Sequence, residues 1–223
     1  MKKKINNLIN LLLILIALII FPLNLQGYIK VSAFIDFVLF IDPGHGGNDN
    51  GADYNDVYED EINLAISGKL YEICLKKNLL SYISRSDDYD LASQYASNRK
   101  SEDLKRLTEN INHSGSDAFV SIHVNKYLSE SVHGPMVYYE KNDEQSYLLA
   151  KYVQSELNSL TGQNKRVHND DFYIFNNCDI PGILVECGFI SNEDERVKLL
   201  DENYQLSIAQ GIYQGVYHYY LNK

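Results

Sequence analysis

The sequence predicts one α/β domain of three layers, a largely parallel twisted sheet with helices on both faces. Three observations predict it. Short apolar runs such as 37–41, 118–122 and 183–185 have the near-continuous hydrophobicity of strands buried on both sides. Stretches of helical periodicity separate them, and alternation of strand and helix is the pattern of a parallel sheet covered twice. The length, 223 residues, holds one good-sized domain and little more.

In chain order, the first strand is Phe37-Val38-Leu39-Phe40-Ile41, ending in the glycine-rich turn Asp42-Pro43-Gly44-His45-Gly46-Gly47. A polar loop, 48–57, precedes helical periodicity from Tyr58 to about Lys77, and Leu79 to Ile83 has the composition of a second strand. An amphipathic stretch over 93–113 carries Leu104, Leu107 and Ile111 on one face. The turn Ser114-Gly115-Ser116-Asp117 introduces a third strand, Ala118 to His123, and Met136 to Tyr139 make a fourth. A helix is expected over 144–160, and a short strand or extended segment at Phe172-Tyr173-Ile174-Phe175. Ile183 to Glu186 form another buried strand, followed by helices near 192–200 and 203–221. No repeat, low-complexity tract or Pro/Ser-rich linker suggests an added module.

The first 33 residues are of another kind. Lys2, Lys3 and Lys4 precede an apolar run from Leu8 to Phe21, close to the ~18–20 residues that span a bilayer. This is a secretory signal or an uncleaved membrane anchor, and small residues at Val31-Ser32-Ala33 offer a cleavage site. Either reading puts the domain from residue 34 onward outside the cytoplasm, because the basic end stays inside. The whole chain has a net charge of −10, and residues 1–33 contain four lysines and no acid, so the domain itself is more acidic still. Such a surface repels nucleic acid, and no basic cluster offsets it. The three cysteines, Cys74, Cys178 and Cys187, lack the paired spacing of a disulfide framework or a thiolate metal site. Cys74 and Cys187 read as small core residues.

The residues with chemistry converge on one sheet edge. His45 follows the first strand, His123 ends the third and Glu186 ends the last buried strand; in a parallel sheet all three reach the crevice at the carboxyl ends of the strands. Glu59, Asp60 and Glu61 open the first helix and lean over the same edge, although acids there also complement the helix dipole. Spacing alone does not choose among them. Two histidines and a carboxylate with an open fourth position are the ligand set of a catalytic zinc. A carboxylate after Gly182-Ile183-Leu184-Val185 is costly to bury without a partner, which points to a role for Glu186. His113, His133, His168 and His218 lack a comparable strand-end context.

Four motifs now line up. Ile41-Asp42-Pro43-Gly44-His45-Gly46-Gly47, Glu59-Asp60-Glu61-Ile62-Asn63-Leu64, Ser121-Ile122-His123-Val124-Asn125 and the segment from Pro181 to Asn192 resemble, in this order, those of the zinc-dependent N-acetylmuramoyl-L-alanine amidases, the type 3 amidase family. The resemblance runs from about Val38 to Tyr219. It implies Zn2+ held by His45, Glu59 and His123, and Glu186 as the catalytic carboxylate. It also implies hydrolysis of the amide between the lactyl group of N-acetylmuramic acid and L-alanine in peptidoglycan. Two positions depart from the pattern: Asp60 stands where a lysine commonly follows the ligand glutamate, and Ser84-Arg85 where Thr-Arg is common. Asp42, Arg85 and Asn125 are candidates for supporting or substrate contacts, or for purely structural ones. Small size, the N-terminal apolar segment and the lack of wall-binding repeats are similar to the sporulation-type members, which trim spore cortex for muramic-δ-lactam formation and germination.

Two rival readings share some of these residues. A zinc carboxypeptidase-like peptidase would use the same ligands and base, and a non-catalytic peptidoglycan-binding or regulatory domain would have no use for Glu186. Between His123 and Glu186 the sequence offers one strand, one helix and a short return, too little for an inhibitory plug. Control is therefore expected from location, metal loading or an activating or localising protein partner.

Overall fold

A computed structural model describes residues 36–223, so the N-terminal apolar segment lies outside the described residues. The central sheet has six strands in the order β4-β1-β5-β8-β6-β7. These are β1 (Val38–Pro43), β4 (Leu80–Ile83), β5 (Ala118–Asn125), β8 (Gly182–Phe189), β6 (Met136–Tyr139) and β7 (His168–Asn169). β1 is parallel to both β4 and β5, and β5 is parallel to β8; β6 runs antiparallel to β8 and closes that side with β7. The expected three-layer, largely parallel fold is the observed one.

Alternation along each strand sorts the core into two clusters. Leu39 and Ile41, Val120 and Ile122, and Ile183 and Val185 face three long helices. These are α1 (Glu59–Lys76), α3 (Glu144–Thr161) and α6 (Glu202–Asn222), which contribute Ile66, Leu70, Leu149, Val153, Ile208 and Ile212. Phe40, Phe119 and Leu184 point the other way, onto Leu107 and Ile111 of α2 (Arg99–His113) and Ile174 and Phe175 of α4 (Tyr173–Asn177). One face of the sheet therefore carries a thick helical layer and the other a thin one. Burial of residues of this size contributes about 1.5–3 kcal/mol each, which makes the thick layer the main source of stability. Among the described residues, no helix is long and apolar enough to cross a membrane.

Local chemistry starts the helices. Asn98, Asp143 and Asp201 cap α2, α3 and α6, each side chain accepting from a backbone N–H in the first turn, and Asn192 does the same for α5 (Glu193–Leu199). The first helix differs: no side chain caps it, and the carbonyls of Ala52 and Asn50 accept from the Glu59 and Asp60 N–H groups instead. The acids of its first turn are thereby left free of capping duty.

Several elements differ from the sequence expectation, among them the short strand β7. Residues 172–175 form not a strand but the start of α4, five residues whose first turn closes by Phe175 N–H donating to the Phe172 carbonyl. One turn is too short to show helical periodicity, and its aromatic and β-branched residues mimic a strand. The polar loop after β1 holds a hairpin, β2 (Asp53–Tyr54) and β3 (Val57–Tyr58), turned by Asn55 and Asp56 at φ 51 and 59. Positive φ at both central residues is the requirement of a type I′ turn. His123 and Glu186 sit within β5 and β8 rather than at their ends, since the strands continue to Asn125 and Phe189.

Candidate metal and catalytic site

The turn after β1 is built to aim one ring. His45 adopts φ 63, a left-handed conformation that a non-glycine residue enters at a cost, and the Gly46 and Asp49 backbones bridge each other to hold it there. Before it, the Gly44 N–H donates to the Ile122 carbonyl and ties the turn to β5. A Cβ on Gly44 would lie 2.2 Å from the His123 ring, and one on Gly51 would lie 2.6 Å from Glu59 Oε2. Only glycine lets the three groups approach this closely.

His45, Glu59 and His123 come together, each able to offer one donor atom within 4.8 Å of the others. His123 Nδ1 is 2.9 Å and His45 Nε2 3.4 Å from the same Glu59 oxygen, Oε1. The two imidazoles stand edge to face, 5.1 Å between centroids. Backbone and amide donors fix Glu59: Ala52 N–H to Oε2 at 2.7 Å, Val124 N–H and Asn63 Nδ2 to Oε1 at 3.3 Å each. The Val124 N–H falls at the place where the β5–β8 register slips between His123 and Asn125, and such an irregularity re-aims a backbone group. Asn63 also donates to the Gly44 carbonyl, so one buried amide spans the helix and the histidine turn.

Electrostatics agree with the geometry. Burial alone would neutralise Glu59, but hydrogen bonds and charge from His123 and His45 overcome it and hold the carboxyl well below its ordinary range. Burial likewise disfavours a charged His45; the Glu59 hydrogen bond and charge, then Asp49, outweigh it and raise that ring to about 9. A buried anion between two imidazoles is a pocket for positive charge. Two nitrogens and one oxygen in this spacing fit a borderline divalent cation such as zinc.

The alternatives at the helix start separate clearly. Glu61 is exposed. Asp60 is buried beside Arg85, with its carboxyl raised by burial and then by Asp88. Arg85 donates to the carbonyls of Pro43, Gly44 and Asp60, and Asp42 accepts from the Ser84 and Ser121 hydroxyls. Arg85 and Asp42 therefore brace the histidine turn from beneath. His113, His133, His168 and His218 lie outside the cluster.

Glu186 is the register partner of His123 on the neighbouring parallel strand, so both side chains leave the same face. Its Oε2 is shielded from solvent and has no hydrogen-bond partner. Burial pushes its carboxyl up to about 7, with the charges of His123, Glu59 and His45 contributing in smaller and opposing ways. It opens into a cavity of about 440 Å³ shared with His45, Glu59 and His123 and walled by Leu104, Leu107, Phe172 and Ile174 of the thin layer. Asn125 reaches the same cavity, and Cys187, next to Glu186, is fully buried. One contributor escaped the sequence reading: Asp49, whose Oδ2 is 3.2 Å from His45 Nδ1. Its only signal there is the four-residue interval from His45 inside a glycine-rich turn.

Comparison with known proteins follows the same lines. The profile of the family described as N-acetylmuramoyl-L-alanine amidase matches residues 39–218. The germination-specific N-acetylmuramoyl-L-alanine amidase of Bacillus subtilis is 33% identical over 193 residues, covering 83% of this chain and 81% of its own. The CwlD amidase of Clostridioides difficile, solved in complex with the GerS lipoprotein, superposes with a TM-score of 0.79 at 37% identity, covering 82% of this chain and 98% of its own. A second N-acetylmuramoyl-L-alanine amidase from Clostridium difficile 630 gives 0.74 at 34% identity, with 84% and 98% covered.

Proposed function

The chain belongs to the N-acetylmuramoyl-L-alanine amidase family, a family of hydrolases acting on peptidoglycan, and from that premise we propose that it is a zinc amidase of the spore cortex. In this reading His45, Glu59 and His123 hold the metal and Glu186 is the catalytic base. The bond cut is the amide between the lactyl group of N-acetylmuramic acid and L-alanine. The observation that carries it is Glu186, whose Oε2 is shielded and without a hydrogen-bond partner, lining the same cavity as the two imidazoles and Glu59.

When bound, zinc supplies a Lewis acid that acidifies a water and polarises a carbonyl. The chain's own residues do the rest. Glu186 takes the proton as water attacks and returns it to the departing amine of L-alanine. A carboxyl raised to about 7 by burial can both accept and release a proton near neutral pH. The apolar walls exclude bulk water, which strengthens each electrostatic contact inside. The muramoyl residue left behind has a free lactyl carboxylate, the group that lactam formation requires.

Residues 1–33 are proposed as the signal or anchor that puts domain 34–223 outside the cytoplasm, with membrane contact only if uncleaved. The complex of the C. difficile relative with a lipoprotein supports a protein partner here too. The test is incubation of the purified protein and Glu186→Gln with intact peptidoglycan and zinc. Release of peptide beginning with L-alanine by the first alone is expected. Release of single C-terminal residues would favour the carboxypeptidase reading, and zinc binding with no product under any condition would favour the binding domain.

A further inference from the structure

Resting on the zinc reading above, we propose that Asp49 is a positioning residue that presents His45 to the metal. The two ring nitrogens of His45 face different carboxylates. Nε2 points into the cluster, 3.4 Å from Glu59 Oε1, while Nδ1 points out of it, 3.2 Å from Asp49 Oδ2. A neutral imidazole carries its proton on one nitrogen and a lone pair on the other. Asp49 accepts a hydrogen bond from Nδ1–H, which leaves the lone pair of the neutral ring on Nε2, the nitrogen aimed at Glu59. A carboxylate in this position also makes the ring a stronger donor and fixes its rotation.

Asp49 is itself held from three sides. Its Oδ1 accepts from the Gly51 N–H at 3.1 Å, its backbone bridges Gly46, and Lys100 Nζ of α2 lies 3.2 Å from Oδ2. Lys100 is 65% exposed, so the pair adds little to stability. Its place in the argument is geometric, since it fixes the oxygen that faces His45. The same interactions that close the turn therefore orient the ring. A residue serving the turn alone would not need its second oxygen turned toward Nδ1.

The experiment measures zinc affinity of the full chain at fixed pH by competition with a chromophoric chelator, beside the melting temperature of each metal-free protein. Asp49→Ala is expected to weaken zinc about 10–100-fold, the usual loss for such a supporting group. Asp49→Asn keeps the size of the side chain and the Gly51 acceptor but not the charge, and is expected to weaken zinc by about tenfold, the lower end of the same range. Wild-type affinity in Asp49→Ala, with only a lowered melting temperature, would reduce Asp49 to a turn residue and overturn the proposal. If Asp49→Ala does not fold, wild-type affinity in Asp49→Asn overturns it instead. Absence of zinc binding in the wild-type protein would sink the metal reading itself, a separate failure.

Discussion

His45 occupies a backbone conformation that costs about 1–3 kcal/mol for a residue with a Cβ, and its turn is tied to Asp49 and to β5 beside the His45, Glu59 and His123 group. The site tolerates no added atom on the opposite side either. In Gly44→Ala the new methyl would stand 2.2 Å from His123 Cε1, so that ring must leave its place. The expected result is zinc affinity at least about tenfold weaker, with the scale set by the 10–100-fold effect of disturbing a ligand's support. Titration calorimetry checks this, and an unchanged affinity would contradict the cradle. Glu186→Gln should behave in the opposite sense: about 10²–10⁴ lost in kcat, the span typical of general acid–base groups, with zinc bound as before. A variant that lost metal and turnover together would show that Glu186 belongs to the ligand set instead. At this scale the apolar runs before His45, His123 and Glu186 made these residues visible in the sequence, although β5 and β8 carry on past the last two. Choosing Glu59 from three adjacent acids needed the family pattern, and Asp49 needed the closed turn.

Elements pack here through a few contacts without slack. Glu195, early in α5, accepts the buried N–H groups of Gly134 at 2.8 Å and Phe189 at 2.9 Å, clamping the end of β8 to the approach to β6. Glu195→Ala leaves both donors unpaired, at about 1–3 kcal/mol each, and urea unfolding should register that loss. A midpoint within error of wild type would mean that water replaces the carboxylate. Gly215 of α6 packs on α3, where a Cβ would come within 2.4 Å of the Val153 backbone. Gly215→Ala is expected to cost about 1–3 kcal/mol by forcing the helices apart, read as a lower melting temperature at full zinc occupancy. The long helices and the buried strands were readable from the sequence because each repeats its pattern several times. The two-residue strands of the β2–β3 hairpin and β7 do not repeat at all. The one-turn α4 offered Phe172 to Phe175, a run that local propensity assigns to a strand and that packing against Phe119 and Leu184 turns into a helix.

Across the whole molecule, the proposed ligands belong to three distant segments: the β1 turn, the start of α1 and β5. A metal bound to all three favours the folded chain, by about 2.7 kcal/mol when free zinc is a hundredfold above its dissociation constant. A chelator should therefore lower the melting temperature, and in His123→Ala that difference should shrink sharply. Equal melting with and without metal in the wild-type protein would argue against a shared ion. The alternation of each strand has a further consequence. Phe40, Phe119 and Leu184 face the thin layer, and Asp42, Ser121, His123 and Glu186 follow on that same side by twos. Residues that line the cavity and residues packed under the three long helices are thus interleaved in sequence yet segregated in space, alternate positions of each strand going to opposite sides. A change to one strand residue is felt mainly by one trade. The sheet works as a partition: the wall around the substrate can be rebuilt through α2 and α4 while the foundation of α1, α3 and α6 stays as it is.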